Sequence, residues 1–310
     1  MPKKILIDTD PGVDDTMAIL FALRSPELEV VGLTAVFGNT DVEICAQNAL
    51  RLVELEGHGE IPVACGAARP IIRPPRSMGY HVHGRDGMGG INPPPPQGKL
   101  VEMPAAQFIV ETIRQNPGEI TLVPVGPLTN IALAVRLEPR IIELVKEVVI
   151  MGGAAFVPGN ATPAAEANIC NDPHASAIVF SAGWPLTMVG LDVTTKVVMT
   201  AGYLAELGRA GNPATDLISR ILPFYQNYFD SFYGAKGSIH THDPSAIGYL
   251  IDPSLFQCEQ MPVFVETEGQ CAGQTVPDQH HQWIEGPLTN VCRGVDAERL
   301  LAMYKERMTK

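Results

Sequence analysis

Four aspartates stand within the eight residues of "DTDPGVDD": Asp8, Asp10, Asp14 and Asp15. Like charges at this density repel one another, and a turn at Asp10-Pro-Gly with a helix cap at Asp14 would use only two of them. The remaining carboxylates fit a hard cation. Oxygen-only ligation, with no Cys or His beside it, points to Ca²⁺ or Mg²⁺ rather than zinc. A second cluster, "HTHDPSAIGYL", sets His240 and His242 against Asp243. Asp243-Pro244 has the form of an N-cap followed by Pro at the first helical position. The neighbouring histidines could bring an imidazole to a leaving group. "NDPHASAIVF" opens the same way, and there Asp172 reads as a cap and nothing more. "GNATPAAEANI" supplies Asn160, Glu166 and Asn168, side chains suited to sugar hydroxyls that both donate and accept hydrogen bonds. "HVHGRDGMGG", with His81, His83 and four glycines, reads as a mobile loop able to close over a ligand.

Short apolar runs alternate with helical patterns along the chain and would position these groups. "KKILID", "LEVVGLTAVFG", "EITLVPVG", "EVVIMGG", "PLTMVGLD" and "MPVFVETEG" carry the strand signal. "DDTMAILFALRS", with Met17, Leu20 and Leu23 on one side, and "DVEICAQNALRLVELEG", ending at Gly57, have helical spacing. So do residues 105–114, 128–136 and 174–180. Alternation of this kind implies an α/β fold, a mainly parallel sheet with helices on both faces. Sites in such sheets form beyond the carboxyl ends of the strands. "DTDPGVDD", "GNT", "GPLTN" and "GGAAFVPGNATPAAEANICNDP" each follow a strand, so they should converge at one edge. "GPLTN" recurs at 286–290, before a final strand, and is read as a coincidence. "INPPPPQGK" is a stiff surface loop.

Composition narrows the partners. The 310 residues carry 22 Lys and Arg against 34 Asp and Glu, a net charge of −12, which argues against a nucleic-acid backbone as partner. No apolar run reaches membrane-spanning length, and the basic start is broken at once by Asp8, too short for a signal peptide. Six cysteines without a C-x-x-C pair read as reduced thiols in a chain for which the cytoplasm is expected. No composition shift marks a domain boundary, and residues 1–310 are expected to form a single domain.

Taken together, these stretches resemble the inosine–uridine-preferring nucleoside hydrolases. "DTDPGVDD", "GNT", "HGRDG", "VPVGPLTNIALA", "VVIMGGAAFVPGNATPAAEANICNDPHA" and "HDPSAIGYL" match in order over nearly the whole chain. The resemblance implies that family's Rossmann-like fold and calcium-dependent cleavage of ribonucleosides to ribose and free base. It implies Ca²⁺ on Asp10, Asp15 and Asp243 and on the backbone carbonyl of Val125, where many members have threonine. It makes Asp10 the general base, and assigns Asp14, Asn39, Asn160, Glu166, Asn168 and Asp243 to the ribose. His242 matches the histidine that protonates the leaving base in many members, and His83 a second one found in some. Tyr233 is assigned to the same relay, and His240 could take part of the base contact. Members often place an aromatic residue where this chain has Ala167, which leaves purine or pyrimidine preference open. The family assembles as homodimers and homotetramers, and the same is expected here.

Two other readings remain at this point. An apolar run followed by D-x-D also opens the haloacid-dehalogenase-like phosphatases, with Asp8 as nucleophile and Asp10 as acid on a magnesium site. That fold needs a later acidic loop, usually beginning Gly-Asp, and the chain has no such dipeptide. The third is a ribose- or nucleoside-binding protein without turnover.

Overall fold

The computed structural model describes every residue except Ser77. Eleven strands are present in it: β1 (Lys3–Thr9), β2 (Leu28–Ala35), β3 (Val63–Cys65), β4 (Ile120–Pro124), β5 (Glu147–Met151), β6 (Leu186–Val189), β7 (Val198–Met199), β8 (Ile239–His240), β9 (Phe256–Val265), β10 (Thr275–Pro277) and β11 (Leu288–Val295). Nine of them form one sheet in the order β10-β9-β11-β6-β5-β4-β1-β2-β3. Every pairing from β3 to β11 is parallel, while β9 and β10 add an antiparallel end. The two-residue strands β7 and β8 pair separately and antiparallel. The sheet is thus mainly parallel and mixed, as the alternating pattern predicts.

The helices that bear on the site and core are α1 (Val13–Leu23), α2 (Val42–Leu55), α3 (Tyr80–His83), α4 (Ala105–Gln115), α5 (Thr129–Leu137), α6 (Ile141–Leu144), α7 (Ala167–Asn171), α8 (Pro173–Phe180), α9 (Leu191–Thr194), α10 (Ala201–Gly208), α11 (Pro213–Tyr233), α12 (Asp243–Ile251) and α13 (Ala297–Met308). They cover both faces. Strand side chains alternate between the faces with period two. Ile5, Ile7, Val123, Val149 and Met151 pack with Met17, Ile221, Ile247 and Leu300 on one side. Leu6, Leu122, Val148 and Ile150 pack with Ile109, Ile131 and Val179 on the other.

Some local expectations shift. Helix α1 has no single apolar side: everything from Val13 to Ala22 is buried and Leu23 is only half-buried, because the helix lies between neighbours that include α2, α11 and α12. Asp243 does not cap α12. It is the helix's first residue, and His242 occupies the cap position. Asp172 does cap α8, accepting from the Ala175 N–H at 3.0 Å. The two "GPLTN" copies differ in structure. The first enters helix α5, the second runs into strand β11. Among the described residues no helix is long and apolar enough to cross a membrane.

Candidate active site

The parallel strands deliver their loops to one edge, and a cavity of about 290 Å³ opens there. That is close to the smallest pockets that hold a small organic ligand. Asp14 reaches it from the start of α1, Asn39 from the loop after β2, and Val125 from the end of β4. Asn160, Glu166 and Asn168 come from the long connection after β5, His83 from α3, and His242 and Asp243 from the entry to α12. Tyr233 also lines it, at the end of α11. Asp10 and Asp15 lie in the wall behind the cavity, almost wholly buried. His240 is not among the lining residues. Its ring packs edge-on against His242 and Phe229, with centroids 5.7 Å and 5.1 Å away.

The carboxylates are crowded and repel one another. Oxygens of Asp14, Asp15 and Asp243 lie within 4.8 Å of one another. Burial, followed by the neighbouring Asp15, pushes Asp10 well above the usual carboxylate range; burial and then Asp14 do the same to Asp243. Asp14 is pushed up to about 6, mainly by burial. Asp15 is fixed most firmly. One oxygen accepts from the Thr9 hydroxyl at 2.6 Å and the Asp10 N–H at 3.2 Å, the other from the Gly12 N–H and the Asn39 amide. Asp10 accepts the Asn39 N–H at 2.7 Å through Oδ2. Asp10 Oδ1 and Asp14 Oδ1 are buried with no hydrogen-bond partner among the described residues. Unpaired buried carboxylate oxygens are costly and call for an explanation. A hard divalent cation is one, since it ligates oxygen and cancels the mutual repulsion. The residues present therefore fit a metal ion. The Val125 carbonyl accepts the Asn168 amide at 2.8 Å, and a carbonyl oxygen has a second lone pair to offer.

Several groups expected at the sugar are already engaged. Glu166 caps α7, its carboxylate accepting N–H groups of Gly153, Asn168 and Ile169 at 3.0, 2.8 and 3.1 Å. Asn160 accepts from the Ala167 N–H. These bonds brace the connection after β5 and set the side chains in the cavity wall. His83 Nδ1 accepts the Val13 N–H at 3.1 Å, which places the proton of a neutral ring on Nε2. An added Cβ at Gly12 would stand 2.6 Å from that Nδ1, so only glycine lets the ring close over α1. Burial drives His83 down to about 4 and His242 down to about 3, which favours the neutral ring in both and makes either imidazolium a readier proton donor. His242 Nδ1 is held at 2.8 Å by the Thr194 hydroxyl of α9. The stretch expected to be a mobile loop is tied down. Asp86 accepts the N–H groups of Met88, Gly90 and Asn92, and Asn48 holds the Asp86 carbonyl.

Sequence reading missed the aromatic wall. Tyr225, Tyr228 and Phe229 of α11 line the cavity, and the Tyr225 ring lies against His83, with centroids 5.3 Å apart. Tyr225, Tyr228, Phe229, Phe232 and Tyr233 follow a three–four spacing, the one signal that could have found them. Asp192 was missed as well. It accepts the N–H groups of Ala155 and Phe156 and so anchors the connection after β5.

Residues 5–302 match the sequence profile of the inosine-uridine preferring nucleoside hydrolases. The chain belongs to this family. The hydrolase is 40% identical to uridine nucleosidase 1 of Arabidopsis thaliana over 315 residues, 99% of this chain and 94% of that one. It is 40% identical to the inosine-uridine preferring nucleoside hydrolase of Leishmania major over 313 residues, 100% of this chain and 98% of that one. Among solved structures a plant nucleoside hydrolase superposes with a TM-score of 0.96 at 38% identity, covering 100% of this chain and 99% of its own. The hydrolase therefore acts on the N-glycosidic bond of ribonucleosides. The phosphatase reading fails on geometry too. Asp8, its required nucleophile, is fully buried on β1, bonded to Thr34 and Asn130, and absent from the cavity wall.

Proposed function

We propose that the protein is a calcium-dependent ribonucleoside hydrolase in which residues 1–310 form one catalytic domain. Asp10, Asp15, Asp243 and the Val125 carbonyl hold the ion, with Asp14 beside them. The observation that carries this is the pair of partnerless buried oxygens, one on Asp14 within the Asp14–Asp15–Asp243 cluster and one on Asp10, whose carboxylate the charges of Asp15 and Asp14 repel. A bound calcium ion supplies the positive charge that lets these carboxylates ionise together and lowers the pKa of water. Asp10 takes the proton of the attacking water. The water oxygen bonds to the anomeric carbon as the N-glycosidic bond breaks through an oxocarbenium-like state. Asp14, Asn39, Asn160, Glu166, Asn168 and Asp243 bind the ribose, and their negative and amide groups favour the cationic sugar over the ground state.

The leaving base departs with a proton. His242, steadied at Nδ1 by Thr194, donates it from its protonated ring, with His83 as the second imidazole facing the substrate. His240 and Tyr233 lead from His242 towards solvent. Their ring centroids are 5.8 Å apart, and Tyr233 is about half exposed, which suits a path for resupplying the proton. Facing rings of Tyr228 and Phe229 offer the base an apolar surface that Ala167 does not. A cytoplasmic location and a homodimeric or homotetrameric assembly belong to the same proposal, and family membership supports them.

The test is ribose release from inosine, adenosine, guanosine, uridine and cytidine, by the native enzyme and by Asp10→Ala. Release by the native enzyme and its loss by several orders of magnitude in the variant are expected. Near-native release by Asp10→Ala would remove Asp10 from the chemistry.

A further inference from the structure

Cys258 on β9 and Cys292 on β11 are directly opposed in an antiparallel ladder. Opposed residues send their side chains to the same face of the sheet. Here the two thiols meet in a hydrogen bond, Sγ to Sγ 3.0 Å. Opposed antiparallel residues have Cα atoms about 4.5–5.5 Å apart, inside the range of about 4.4–6.8 Å that disulfides span. Backbone movement is therefore not required to join them. Cys292 is fully buried, whereas Cys258 is half-buried and open to a small oxidant. The contact with Cys292 draws the Cys258 thiol below its ordinary pKa, which favours the nucleophilic thiolate there. Neither cysteine lines the catalytic cavity, and no step of nucleoside hydrolysis uses a thiol.

We infer that Cys258 and Cys292 are a redox modification site that closes reversibly to a cross-strand disulfide under a small peroxide. The Cys258 thiolate attacks one oxygen of hydrogen peroxide, the O–O bond breaks, and hydroxide leaves. The Cys292 sulfur then attacks the resulting sulfenic sulfur. The S–O bond breaks, and the departing hydroxide takes the Cys292 proton to leave as water. Two thiols and one peroxide become one disulfide and two waters, the two electrons passing from sulfur to oxygen. The bond locks β9 to β11, the junction where the parallel sheet gives way to its antiparallel end. It closes a loop between residues 34 positions apart, which restricts the unfolded chain. The consequence is a sturdier fold with an unaltered site.

The test uses the full-length protein exposed to hydrogen peroxide, then alkylated under denaturing conditions and mapped by mass spectrometry. A linked peptide carrying Cys258 and Cys292, lighter by two hydrogens and released by dithiothreitol, is expected. The melting temperature should rise by about 3–6 °C, with ribose release within about twofold of the reduced enzyme. Cys258→Ser and Cys292→Ser should each lose the linked peptide and the rise, while Cys271→Ser, which removes an exposed thiol, should keep both. Oxidation of Cys271 without any Cys258–Cys292 peptide would overturn the inference. So would a rise in melting temperature that survives in Cys258→Ser.

Discussion

Gly126→Ala tests Asp10 without altering it. Gly126 follows the Val125 carbonyl, and a Cβ built on it stands 2.5 Å from Asp10 Oδ1 and 3.0 Å from a methyl of Val36. Ordinary van der Waals contact begins near 3.4 Å, so the carboxylate oxygen must retreat by about 0.9 Å. It has little freedom to do so on its other side, because Oδ2 is held by the Asn39 N–H at 2.7 Å. Misplacing a reacting group by about 1 Å costs on the order of 10²-fold in rate, or about 2.7 kcal/mol at the transition state. Overpacking of a buried site costs folding a further ~1–3 kcal/mol. The assay is kcat/KM for ribose release at saturating calcium, with the melting curve recorded on the same sample. A folded Gly126→Ala enzyme should lose about 10²-fold in kcat/KM, chiefly in kcat. A folded variant within about threefold of native would refute the reasoning, because it would mean that Asp10 Oδ1 can move without consequence.

Other expectations follow from the same geometry. His242→Ala should slow natural nucleosides by about 10²–10⁴-fold but a nitrophenyl riboside far less, since that leaving group needs no proton; equal losses on both would remove His242 from the acid role. Asp8→Asn should stay within about fivefold of native, ~1 kcal/mol, because Asp8 does not line the cavity and burial raises its pKa to about 7, so a neutral amide is close to its natural charge there; loss of all activity would give Asp8 a part in the chemistry. Calcium at about 100 times its Kd should add roughly 2.7 kcal/mol to stability, a rise of about 4 °C for a chain of this size. A melting temperature indifferent to calcium and chelator would place the ion elsewhere or nowhere.

Much of the sheet was legible because parallel strands buried on both faces read as near-continuous apolar runs, and five of them, β1, β2, β4, β5 and β6, did; the sixth run belongs to the antiparallel β9. Two three-residue strands, β3 and β10, are too short to leave a pattern. Helix α11 was hidden by Pro223, a residue that normally ends helices, in the middle of its 21 residues. With the helix went its aromatic face, which is why Tyr225, Tyr228 and Phe229 escaped notice. The carboxylates were legible because their crowding has no cheap structural explanation. What sequence could not supply was their division of labour: that Asp15 is anchored by four donors while Asp10 and Asp14 each have a buried oxygen without a hydrogen-bond partner among the described residues. Nor could it show that Asp243 lies inside its helix rather than capping it, which leaves its carboxylate to the cluster.

The central claim is that the carboxylate cluster works as a calcium site. It is tested most directly by ribose release from inosine or uridine by enzyme whose metal content is measured on the same sample, in chelator and after calcium is restored. The account predicts one calcium per chain in the active enzyme, collapse of release when it is stripped, and recovery on its return. Undiminished release from verified metal-free enzyme would contradict it.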